Sequence, residues 1–115
     1  MSLIKKNKDK IVNFEFNKEY INVITEKISS SDAGFINNSF KEMHPADAAD
    51  IIEHLSQDDR EKLIKLSNFK IDSAIFIELN EAIQSEITKY LSNESIVSIL
   101  KNLDSDDSIK ILENL

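Results

Sequence analysis

The side chains best suited to chemistry in this 115-residue chain are carboxylates, and they follow small capping residues: Ser56-Gln57-Asp58-Asp59, Ser92-Asn93-Glu94-Ser95 and Asp104-Ser105-Asp106-Asp107. A Ser or Asp side chain at the start of a helix accepts a bond from a free backbone N–H. The acids behind it suit the positive end of the helix dipole, worth a few tenths to ~1 kcal/mol each. The surplus of negative charge also makes the surface attractive to cations or to a basic protein. Other chemistry is poorly supplied. His44 and His54 stand ten residues apart with no third ligand at a metal-site spacing, so they read as structural or surface histidines. No nucleophile and base pair, Gly-rich phosphate loop or carboxylate dyad is apparent, and the chain is not expected to be an enzyme.

The acids need helices to hold them, and the apolar residues supply the pattern. Leu55, Leu66, Leu79, Leu91, Leu103 and Leu115 recur at intervals of 11, 13, 12, 12 and 12 residues. Three or four positions before most of them lie further apolar residues: Ile51 and Ile52, Leu63, Ile75 and Phe76, Ile87, Ile99 and Leu100, Ile111 and Leu112. This is the spacing of one helix face. A helix of ~12 residues is marginal alone in water, so the pattern predicts an all-α tandem array of one-helix units, each laying its stripe on its neighbours.

Composition agrees. One Gly, one Pro, no Cys and no Trp leave no turn chemistry for an all-β fold and no thiols for a disulfide or zinc scaffold. The length suits one domain. No apolar run approaches the ~18 residues needed to cross a bilayer, and no signal-peptide core opens the chain. The formal charge of −7 is uneven: residues 44–115 carry 7 basic and 15 acidic side chains. Nucleic acid requires a basic footprint and is not an expected partner.

Residues 1–16 are expected to form a flexible arm, part of it a tag at Met1-Ser2-Leu3, and residues 17–115 the helical domain. Tyr20, Ile21, Ile24 and Ile28 predict a first helix over Asn17–Ile28. Phe35, Ile36, Phe40 and Met43 predict a second from Asp32 to Glu42. His44-Pro45 then opens the repeats, because Pro has no N–H to leave unpaired in a first turn, and Asp47 is placed to close the cap. The third repeat is read as a helix over Asn68–Glu78, with Phe69, Ile71, Ala74, Ile75 and Leu79 on its buried face. The chain ends on Leu115, an apolar residue of the last stripe, as expected for a piece of a longer protein.

Met43-His44-Pro45-Ala46-Asp47-Ala48-Ala49-Asp50-Ile51-Ile52-Glu53-His54-Leu55 resembles the start of the cytoplasmic N-terminal domain of MgtE-type magnesium transporters, whose pattern runs Leu-His-Pro-Ala-Asp-Leu-Ala-Asp-Leu-Leu-Glu-x-Leu. The likeness covers Lys41 to Leu115 and, more loosely, the two helices before it. It implies a right-handed, armadillo-like superhelix of short helices, followed in the full-length protein by a CBS domain pair and a transmembrane domain that conducts Mg²⁺. The whole protein would be a homodimer in the inner or plasma membrane with this domain in the cytoplasm, sensing Mg²⁺ through weak sites shared with the CBS domains. Position by position, the family's acid at the start of the last helix falls on Asp106, with Asp107 beside it, and these two are the expected Mg²⁺ contacts. A second family acid falls on Ala74, so that site requires Asp72 or Glu78 instead. The alternative is a helical-repeat interaction module like the flagellar motor switch protein, which opens helices with Glu-His-Pro-Gln; here Ala46-Asp47 replaces the Gln-Thr type of continuation.

Overall fold

The computed structural model describes residues 14–66 and 69–113, and among them every regular element is an α-helix. The expectation of an all-α fold is met. The arm expected over residues 1–16 lies, through residue 13, outside the described residues. The first helix, α1 (Phe14–Ser29), begins three residues earlier than its apolar spacing suggested.

α1 stops in a turn that needs no glycine. Ser31 takes φ 58, and the N–H groups of Ser31 and Asp32 reach back to the carbonyls of Ile28 and Lys27 at 3.0 and 2.9 Å. This is the Schellman arrangement, which satisfies carbonyls that the last turn would leave bare. Asp32 at once caps the next helix, α2 (Ala33–Lys41), accepting from the Phe35 N–H at 3.1 Å. The reversal packs α1 on α2, and Ile24, Ile28, Ile36 and Phe40 are buried between this pair and the later helices.

His44 is extended, as the residue before a proline is pushed to be, and Pro45 opens α3 (Pro45–His54). Here an expectation needs correcting. The His44 side chain makes no capping bond, and Asp47 lies exposed in the first turn, where it favours the dipole without closing a cap box. α3 buries Ala48, Ala49, Ile51 and Ile52, two pairs one turn apart, so it is covered on two sides.

α4 (Gln57–Ile64) is capped by Ser56, and α5 spans only Ser73–Glu78. The helix read over Asn68–Glu78 is therefore too long: it starts at Ser73, and Phe69 to Asp72 are not helical, while Asn68 lies outside the described residues. Phe69 and Ile71 are buried but not helical, while Lys70 between them and Asp72 after them are exposed. That is the alternation of an extended segment, ended by Asp72, whose Oδ1 accepts the Ile75 N–H at 3.0 Å. Ala74 faces solvent and Phe76 takes its place in the core. Phe69 meets Phe40 edge to face at 5.3 Å, which ties the extended segment to α2. Asp72→Ala is expected to cost about 1 kcal/mol and to lower the thermal midpoint, while Asp72→Asn, which keeps an acceptor, should stay close to wild type. Equal melting curves for all three proteins would show that this cap is idle.

α6 (Glu81–Thr88), α7 (Asn93–Lys101) and α8 (Ser105–Glu113) complete the chain, and Asn80 and Ser92 cap the first two. Leu55, Leu79, Leu91 and Leu103 each immediately precede a capping residue, Ser56, Asn80, Ser92 or Asp104, so one position ends a unit and starts the next. From α3 onward the most extensive contacts join helices two apart: α3 with α5, α5 with α7, and α4 with α6, while α1 packs against α3 and α4 as well as α2. The result is two rows of short helices. The described residues measure 36 × 30 × 21 Å, and the smallest extent is close to two helix diameters of ~10 Å. The core runs between the rows, with Ile24, Ile36, Ala48, Ile52, Leu63 and Ile87 at zero exposure. Among the described residues no helix is long and apolar enough to cross a membrane.

Candidate functional site

The two expected metal contacts lie in the first turn of α8. Asp104 precedes it, and its Oδ1 accepts the Asp107 N–H at 3.0 Å, so that carboxylate is committed to fixing the turn. Asp106 is exposed and Asp107 half-buried. The cap that the spacing predicted therefore forms on Asp104, and Asp106 is left turned to solvent as a hard oxygen donor. Among the described residues no three His, Cys, Asp or Glu side chains stand close enough to enclose a metal ion. Mg²⁺ keeps several of its waters and is commonly held by one or two carboxylates; of the two expected contacts, only Asp106 is fully exposed.

The second acid position is different. Ala74 is exposed on α5 and supplies no donor, Asp72 has one oxygen engaged in its cap, and Glu78 is exposed at the far end of the same short helix. His44 and His54 are both exposed. The His54 Nδ1 lies 2.8 Å from the Asp50 carbonyl in the preceding turn.

Among the described residues, the most buried ion pair involves residues that their spacing did not single out. Arg60 on α4 and Glu86 on α6 form a two-pronged pair, with Nε at 3.1 and 3.0 Å from the two carboxylate oxygens and Nη2 at 2.9 Å from Oε1. Their side chains are only 11% and 16% exposed. The remaining arm of the guanidinium, Nη1, donates to the carbonyl of Leu55 at 2.6 Å and reaches those of Ile52 and Glu53 at 3.3 and 3.4 Å. One cation thus closes the C-terminal end of α3 while pairing with α6. The Tyr90 hydroxyl donates to the second Glu86 oxygen at 2.9 Å. Two further bonds brace the same corner: Glu53 Oε2 accepts the Asn80 N–H at 2.8 Å, and buried Gln84 donates to the Phe76 carbonyl at 2.9 Å. The sequence did carry a signal. Arg60 is the single arginine in a chain whose other basic residues are lysines, and a planar fork is what a buried carboxylate and a row of carbonyls require.

Glu86 is pulled two ways. Burial is the largest influence and pushes its carboxyl up, but the hydrogen bonds from Arg60 and Tyr90 and the charges of Arg60 and Lys89 together hold it below the usual carboxylate value. A carboxyl with a lowered folded-state value contributes stability that is complete above its unfolded value of about 4.3 and is lost as pH falls through the folded value. Glu86→Gln is accordingly expected to lower the melting temperature near neutrality and to flatten the acid limb of a melting-temperature profile. An acid limb of unchanged slope in the variant would place the linkage on other carboxylates. Tyr90 moves oppositely. Burial raises its phenol most, Glu86 raises it further by hydrogen bond and charge with Glu61 adding to the charge, and a bond from Gln57 opposes them. Its contribution is complete below the unfolded value near 10 and fades as pH rises through the folded one.

The network supports the stack, and the first turn of α8, like that of α4 with Asp58 and Asp59, carries two acids of which the first is exposed. Residues 43–115, more than half of the chain, match the family model of the MgtE intracellular N domain. No curated protein and no solved structure matches the chain. The matched segment begins at Met43, before the His-Pro that opens α3, and takes in the whole of the capped stack through α8, so the chain belongs to the MgtE intracellular N domain family, cytoplasmic domains of magnesium transporters.

Proposed function

We propose that this domain is the Mg²⁺-sensing regulator of its transporter, gating the pore through ion-bridged contacts with a following pair of CBS domains. The observation that carries the reading is the acidic first turn of α8, with Asp106 exposed, inside the matched segment. The same match favours this reading over an interaction module like the flagellar motor switch protein. Asp106 and Asp107 supply carboxylate oxygens from this side, and the CBS surface supplies the rest. When bound, the divalent ion neutralises two facing acidic surfaces and holds them together.

The chain's own residues set the conditions. Residues 44–115 carry eight more acids than bases, so without an ion this surface repels another negative one. Charges further apart than a Debye length of ~8 Å in physiological salt are largely screened, so the repulsion acts only near contact. A pair of carboxylates binds Mg²⁺ weakly, which suits a sensor that must release its ion when the cytosolic level drops. The domain itself neither transports nor catalyses. In this reading the two rows wind as a right-handed superhelix, the full-length protein is a homodimer in the inner or plasma membrane, and the transmembrane domain of the same chain is the element controlled.

The test uses full-length protein carrying Asp106→Asn with Asp107→Asn, which preserves side-chain shape. Mg²⁺ should protect the wild-type linker between this domain and the CBS pair from proteolysis. In the double variant protection is expected to need several-fold more Mg²⁺ or to vanish, with the domain's melting temperature close to wild type. Protection at the same Mg²⁺ concentration in both proteins would remove these two residues from the ion site.

A further inference from the structure

We draw no further inference here: the strongest candidate, the solvent-facing side of α8 where Ile109 and Leu112 are each more than half exposed beside Asp106, carries nothing because nothing in the structure shows what covers it.

Discussion

Ile99→Asp is expected to leave the domain unfolded at ordinary temperature, whereas Val97→Asp, two residues earlier on the same helix, should change its melting curve little. Ile99 is 4% exposed and packs in the core; Val97 is 53% exposed. Two residues apart on a helix of 3.6 residues per turn, they point to opposite sides. The buried substitution forfeits about 1.5–3 kcal/mol of apolar burial and adds the cost of a carboxyl without a partner, which is met by further destabilisation or by taking up a proton. The sum approaches the roughly 5–15 kcal/mol by which a domain is stable at all. The exposed one belongs with surface changes, typically within about 0.5 kcal/mol. Circular dichroism melts of the two variants decide the matter. Similar midpoints for both would overturn the assignment of the inner face of α7.

The second large effect concerns the buried ion pair. Glu86→Leu leaves the Arg60 guanidinium enclosed with only backbone carbonyls for company, and Arg60→Met strands both Glu86 and the carbonyl ends of α3. Truncating one member of a buried pair costs about 3–5 kcal/mol, much of it for the charge left behind. Combining the two substitutions removes both charges, so the double variant should lose less than the sum of the single losses. It should not reach wild type, because the Leu55 carbonyl still lacks its donor, a deficit of about 1–3 kcal/mol. Denaturant titration of the four proteins gives the coupling directly. A coupling near zero would mean that the pair is effectively solvated and contributes no more than a surface salt bridge.

The stack was legible in the sequence because its signals are local. A leucine followed at once by Ser, Asn or Asp marks each boundary at Leu55, Leu79, Leu91 and Leu103. The apolar residues a turn earlier, Ile52, Leu63, Ile75, Ile87 and Ile99, lie in the core where that spacing puts them. The third repeat misled because Phe69 and Ile71 are apolar at positions that a helix and an extended segment both accept. The deciding residue was Asp72, three before Ile75, a capping signal outweighed by the run around it. Of the last stripe only Leu112 is placed, and it is exposed; the side chain of Ile111 and residue Leu115 lie outside the described residues. Arg60 and Glu86 were illegible as partners. They are 26 residues apart; Arg60 stands in the charged run of α4 and Glu86 is one acid among many in an acidic chain, so periodicity offered no reason to pair them. The acids of α8 were legible as a helix start, but type and spacing do not distinguish an aspartate serving its own backbone from one free to meet an ion. Asp104 does the first, and the exposure of Asp106 leaves it suited to the second.

Interleaving helices two apart has a consequence for how the molecule comes undone. In a bundle of hairpins, elements adjacent in the chain can peel away together as a local cooperative unit. Beyond α2 the main neighbours here are α3 with α5, α4 with α6 and α5 with α7, so lifting any one of them bares a helix on the far side of an intervening connection. Opening one of these helices therefore bares apolar surface on a segment distant along the polypeptide, which couples stretches that the chain itself does not join directly.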